Sequence, residues 1–127
     1  MRYLIDTNCC IYLFSGAYPA LTARVADTAA GAIGLSVIVL AELGVGAQLS
    51  KAPTGQRLLR LREEFPLLPF EERDAQAYAV LPLRRGRFDR LLAAHAISRD
   101  LALITNNEAD FADIAGLRLE NWTLPAA

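Results

Sequence analysis

Five short apolar runs alternate with longer stretches whose apolar residues recur at helical spacing, and this alternation constrains the fold more than any other feature. The runs are residues 2–5, "AIGLS", "PLLPF", "LALIT" and "LRLENW". Between them stand "NCCIYLFSG", "LTARVADTAAG", "VIVLAELGVGAQLS", "TGQRLLRLREEF", "EERDAQAYAVL" and "FDRLLAAHAISRD". Strands that alternate with helices predict an α/β fold with a central, mostly parallel sheet. Gly16 and Pro19 are expected to close the first helix, and Pro82 to stop the fifth. The 127 residues carry no internal repeat or linker, so one domain spanning 1–127 is expected.

Apolar residues make up 54% of the chain and the net charge is −1. That balance excludes a disordered chain, and it also excludes a protein that binds nucleic acid by bulk charge alone. A nucleic acid ligand would need a local basic patch or a metal. The two cysteines, Cys9 and Cys10, are adjacent and cannot staple distant segments, which argues for a reducing compartment. No run approaches the length of a membrane span, and the apolar start is too short for a signal-peptide core. A cytoplasmic protein is the expectation.

Two carboxylates stand isolated among apolar residues, and a third, Asp89, is flanked by Arg87 and Arg90. Asp6 is the only charged residue between Arg2 and Arg24, at the mouth of the first strand. Glu42 is the only one between Asp27 and Lys51, inside an almost wholly apolar helix. Burying such a group without a partner costs several kcal/mol, so each must be paired, protonated or bound to a cation. Plain structural uses exist: Asp6 could cap the helix that starts at Thr7, Glu42 could face a hidden arginine, and Asp89 could cap "DRLLAAHAI". The alternative is convergence, because Asp6 and the "TNNEADF" segment both follow strands and so lie on one rim of the sheet. Carboxylates gathered there would repel one another, and a divalent cation would remove the conflict. Oxygen ligands suit Mg²⁺, with Mn²⁺ as the alternative, better than zinc.

"LIDTN", "AEL" in an apolar helix, "DRLLAAHAI" and "TNN…DF…GLRLENW" together resemble the PIN-domain family, and within it the VapC-type toxin ribonucleases of type II toxin–antitoxin systems. The resemblance runs from Tyr3 to Trp122. It implies an α/β/α sandwich, a Mg²⁺-dependent endoribonuclease that leaves a 5′-phosphate and a 3′-hydroxyl, and a cognate VapB-type antitoxin. It also implies a homodimer and a toxin–antitoxin hetero-oligomer, with the apolar stretches Cys9–Tyr18 and Val39–Val45 as candidate dimer surface. Asp6, Glu42 and Asp89 match the family's first three acidic positions and would be the catalytic and metal-holding residues. Thr7 and Asn8 match the polar pair beside the first. Many members carry an aspartate two residues after the threonine, where this chain has Asn107. Asp110 is the nearest substitute, and Asn107 would then be a neutral ligand or water holder. Asn8 and Thr105 would orient a carboxylate or water.

RNA would also need a basic wall, and Arg84, Arg85, Arg87 and Arg90 form the densest basic cluster, on both sides of Asp89. A solvated charged turn is the plain alternative. Arg57, Arg60 and Arg62 read as an exposed helix face that could line an antitoxin groove. His95, the only histidine, reads as a packed helix residue, so there is no histidine pair for acid–base cleavage. Aspartyl phosphotransfer folds fare worse: the haloacid-dehalogenase type wants an aspartate where Asn8 stands, and both it and receiver domains want a late lysine, whereas the only lysine is Lys51. The remaining alternative is a catalytically degenerate PIN-like interaction module, favoured by Asn107.

Overall fold

The computed structural model describes residues 1–49, 55–82 and 87–125, the side chain of Arg87 excepted. Among these residues five strands form one parallel sheet: β1 (Tyr3–Ile5), β2 (Ile33–Ser36), β3 (Leu67–Leu68), β4 (Ala102–Ile104) and β5 (Leu119–Glu120), in the order β3-β2-β1-β4-β5. The helices are α1 (Thr7–Ser15), α2 (Pro19–Asp27), α3 (Val37–Gln48), α4 (Gly55–Glu64), α5 (Glu72–Ala79), α6 (Arg87–Ser98) and α7 (Glu108–Phe111). The expected alternation is therefore present, and the fold is the PIN-like α/β/α arrangement.

The strands are short because only their centres are buried. Leu4, Ile5, Leu35, Leu103 and Ile104 are fully buried, and each contributes about 1.5–3 kcal/mol by leaving water. Helix α6 covers this core with Leu92, Ala93 and Ala96, and the small side chains of the two alanines let the helix lie close. Trp122 seals the far edge: it packs edge-on against Tyr3 at 4.9 Å, and Arg24 lies 4.4 Å above its ring.

Helix ends follow local chemistry. Gly16, at φ 71°, terminates α1, and its N–H donates to the Tyr12 carbonyl. Pro19 does not help to close α1 as expected; it opens α2, where its missing N–H costs no hydrogen bond. Glu71 and Asp74 form a reciprocal capping box on α5.

Strand order fixes where a site can form. From β1 the chain moves to β2 and β3 on one side, then returns to place β4 and β5 on the other. Connections leave β1 and β4 in opposite directions, which opens a crevice at their carboxyl ends. Ile5 pairs with Ile104, and the Asp6 N–H extends that ladder by donating to the Ile104 carbonyl at 3.0 Å. Asp6 and Thr105 consequently emerge side by side at the crevice.

Candidate active site

Asp6 has two structural duties at once. It is the N-cap of α1, where its Oδ1 accepts the Cys9 N–H at 2.8 Å. Its carboxylate also receives the hydroxyl of Thr105, itself fully buried and held by the Asn107 N–H at 3.0 Å. Burial outweighs these bonds and lifts the Asp6 carboxyl above its ordinary range. Capping and site chemistry are thus compatible uses of one residue.

Glu42 lies in the second turn of α3, partly exposed. The Thr7 hydroxyl donates to its Oε1 at 2.8 Å, tying α3 to the first turn of α1. Among the described residues no arginine or lysine forms an ion pair with Glu42; Lys51, Arg84 and Arg85 lie outside them.

Asp89 sits in the first turn of α6 rather than at its cap. Its carboxyl is raised, first by burial and then by the negative charges of Glu42, Asp110 and Asp6, with Arg90 opposing. Carboxylates from the N-cap of α1 and from α3, α6 and α7 therefore share one electrostatic neighbourhood. Asn107 and Asp110 come together as well, since the Asn107 amide donates to Asp110 Oδ2. Asn8, by contrast, is exposed on α1.

Arg90 departs from the basic-wall expectation. It is 5% exposed and turns inward, donating to Asp113 Oδ1 at 3.0 Å and to the Asp110 carbonyl at 3.4 Å. Its Nε and Nη1 are buried without a hydrogen-bond partner. In this position it anchors α7, and with it Asp110, to α6. Arg84 and Arg85 lie outside the described residues, and only the backbone of Arg87 is described.

His95 is fully buried, its ring edge-on to Phe70 at 5.2 Å. It cannot touch a substrate, which agrees with its reading as a packed residue. Burial also pushes the thiols of Cys9 and Cys10 well up, so they are inert as nucleophiles, and neither can belong to a dimer surface. Val39 and Leu43 are buried too, whereas Val45 is exposed.

The donor set consists of hard oxygens with like charge, which suits Mg²⁺ or Mn²⁺. Among the described residues no three carboxylate, histidine or cysteine side chains stand close enough together to form a complete metal-binding group. Magnesium does not require one, because it commonly keeps several waters and takes only one or two carboxylates directly. The residues fit such an ion by chemistry and by the like charge that Glu42, Asp110 and Asp6 place on Asp89.

Sequence reasoning missed three things here. Position alone gives Thr7 no role, although a hydroxyl beside Asp6 is a signal for one. The inward turn of Arg90 had no signal, because flanking charges look the same on either face of a helix. Helix α7 has only four residues, too few to display a period.

A family model described as PIN domain matches residues 3–117. A curated relative, the tRNA(fMet)-specific endonuclease VapC of Shigella flexneri, is 33% identical over 97% of this chain and 99% of its own. Among solved structures, VapBC2 from Rickettsia felis bound to a DNA fragment from their promoter superposes with a TM-score of 0.80, at 30% identity over 96% of this chain and 99% of that one. DNA-bound VapBC from Salmonella typhimurium gives 0.78, also at 30% identity, over 96% of this chain and 98% of that one.

Proposed function

We propose, from the premise that the chain belongs to the PIN domain family and groups within it with the VapC ribonucleases, that its acidic rim is the catalytic site of a divalent-metal-dependent endoribonuclease, the toxin of a toxin–antitoxin pair. The observation that supports this reading is electrostatic: after burial, the charges of Glu42, Asp110 and Asp6 all act to raise the Asp89 carboxyl. A buried carboxylate is normally paired or hydrogen-bonded. Among the described residues neither Asp6 nor Asp89 has an ion-pair partner, whereas buried Asp74 is paired with Arg99.

Asp6 and Asp89 would hold Mg²⁺, with Glu42 beside them. When bound, the ion supplies a water of lowered pKa and offsets charge on the scissile phosphate. The chain's own residues prepare the rest. Thr105 and the Cys9 N–H fix the rotamer of Asp6, Thr7 aims Glu42, and Arg90 holds α7 so that Asn107 and Asp110 stay at the rim. Any flanking phosphates would be met by the basic segment before Asp89, where Arg84, Arg85 and Arg87 remain candidates; Arg90 acts from inside.

The partner we propose is a VapB-type antitoxin. A groove of about 600 Å³ runs between α1, α2 and α4, lined by Leu13, Phe14, Val25, Leu61 and Phe65, with Arg57 and Arg60 also in its wall. An apolar segment carrying acidic residues is complementary to that lining. Homodimerisation is proposed with it, drawing on exposed Val45 rather than on the buried cysteines.

The test is cleavage of RNA, beginning with an initiator tRNA because a relative is named for it, with Mg²⁺ present. The wild type is expected to cut and Asp6→Asn and Asp89→Asn to fall to background. If both variants retain full activity, the assignment is wrong. If the wild type is inactive and its melting midpoint is unmoved by millimolar Mg²⁺, the chain is an interaction module.

A further inference from the structure

We propose that His95 is a positioning residue: through Ser36 it braces helix α6 against the start of helix α3, and so sets the separation of Glu42 and Asp89. This rests on the acidic rim being the catalytic site.

The brace is a buried, fully directed chain of hydrogen bonds. His95 Nε2 lies 3.0 Å from the Pro69 carbonyl, which can only accept, so Nε2 carries the proton. In the neutral ring Nδ1 is then an acceptor, and it lies 2.8 Å from Ser36 Oγ. Ser36 gives its proton to Nδ1 while its oxygen accepts the Ile38 N–H at 3.0 Å, capping α3. One serine therefore ends β2, starts α3 and holds α6. Both residues are fully exposed to nothing but protein: each has 0% relative exposure.

The surroundings keep the ring neutral and in place. Asp74 Oδ2 is 3.8 Å from Nε2. That carboxylate is already occupied by Arg99 through Nε at 3.0 Å and Nη2 at 2.9 Å, by the Ser98 hydroxyl and by the Glu71 N–H at 2.7 Å. Arg99 also bonds the Pro69 carbonyl at 3.1 Å, so the acceptor of the His95 proton is itself fixed.

The link to the site runs through α3 and α6, which pack against each other. Ser36 meets His95, and six residues along each helix Glu42 lies in the electrostatic field of Asp89. The order is reversed between helices, 36 to 42 against 95 to 89, so they pass each other in opposite senses over about 9 Å of rise. A shift at the Ser36–His95 rung is transmitted along two short stiff elements to the acidic pair. His95 touches none of the four rim acids, so its effect on turnover would pass through this spacing.

Two substitutions divide the brace. His95→Asn keeps an acceptor near the position of Nδ1 and can restore the Ser36 bond; His95→Gln reaches toward Pro69 instead. In RNA cleavage, kcat is expected to fall about 10- to 100-fold in His95→Gln with KM within about threefold, and to recover substantially in His95→Asn. Equal loss in both variants, or a change carried by KM, overturns the proposal. A second readout needs no metal and no activity: backbone amide resonances. The Glu42 and Asp89 amides should shift in His95→Gln and return toward wild type in His95→Asn. If they stay still while those of 36–38 move, the brace does not reach the site, whether or not the protein cleaves RNA. If they move as expected but the wild type cleaves nothing, the brace stands and the catalytic reading is what fails.

Discussion

The Thr7 hydroxyl donates to Glu42 Oε1 at 2.8 Å, and this one bond joins the first turn of α1 to the second turn of α3 across the mouth of the crevice. Glu42 has no cation partner among the described residues, and the Thr7 bond orients its carboxylate. Thr7→Val keeps the shape and removes the donor. A hydrogen bond to a charged group is worth about 1.5–3 kcal/mol at most, and Glu42 is partly exposed, so the expected stability loss is about 1 kcal/mol. The effect on cleavage should be larger, about 10- to 100-fold in kcat, with Thr7→Ser retaining most of it. Chemical denaturation and steady-state kinetics on the three proteins check this.

The crowded carboxylates make the site a source of instability. Asp89 and Asp6 both titrate above the ordinary carboxylate value of 3.8 in the folded chain, the first through burial and then neighbouring charge, the second through burial. The folded state thus binds these protons more tightly than the unfolded one. Their contribution to stability is lost as pH rises from about 3.8 through the raised values, and at neutral pH they oppose folding. Asp89→Asn is therefore expected to raise the melting midpoint of the metal-free protein at pH 7 while abolishing cleavage. Mg²⁺ should raise the wild-type midpoint and leave Asp89→Asn nearly unmoved. A destabilised Asp89→Asn protein would contradict the assignment of mutual repulsion.

How much of this was legible in the chain depends on whether the cause was local. The strand β1 ending at Asp6 and the apolar α3 interrupted by Glu42 were readable, because periodicity and an isolated charge are written in neighbouring residues. The meeting of Asp6 with Thr105 was half readable: both follow strands, but their adjacency needs β1 to pair with β4 rather than another strand, which no local pattern specifies. Pro19 reads as a stop for α1 but starts α2, because proline punctuates a helix from either side. Arg90 and Asp89 are consecutive, yet one faces the core and the other the crevice, since adjacent helical residues point about 100° apart. The Ser36–His95 bond was invisible, as it joins distant residues that each look like ordinary helix or cap positions.

Acidification should act through His95 with the opposite sign to the site acids. Burial, outweighing Asp74, holds its ring below the ordinary value of 6.5, and Arg99 and Arg73 push the same way. The unfolded chain takes up this proton first, so the contribution is fully present above about pH 6.5 and is lost as pH falls below it toward the lowered value. Asp74, driven below the carboxylate range mainly by Arg99 and Ser98 against its own burial, keeps its charge throughout that window. Subtracting the pH–stability curve of His95→Asn from that of the wild type isolates the effect. The difference should shrink between pH 7.5 and pH 5.5; a constant difference would mean that the ring is not held neutral.

Asp100 offers a gain in stability that should leave the site untouched. It stands at φ 54°, the only non-glycine residue with positive φ among the described residues, just after α6 ends at Ser98. There the Leu101 N–H returns to the Ala96 carbonyl at 2.9 Å, a helix ending that favours glycine because a Cβ crowds the backbone in the left-handed region. Its side chain contributes little in return, being 93% exposed and 3.3 Å from an exposed Arg118. The stronger link, Arg118 to the Asp100 carbonyl at 2.7 Å, belongs to the backbone and survives substitution. Relief of the left-handed strain outweighs the extra entropy of an unfolded glycine, so Asp100→Gly should stabilise the protein by about 0.5–1 kcal/mol. Denaturant midpoints with unchanged slopes would register this, and cleavage should be unaltered because α6 keeps its position at Asp89. A loss of stability would mean that the Asp100 carboxylate does more at this turn than its exposure allows.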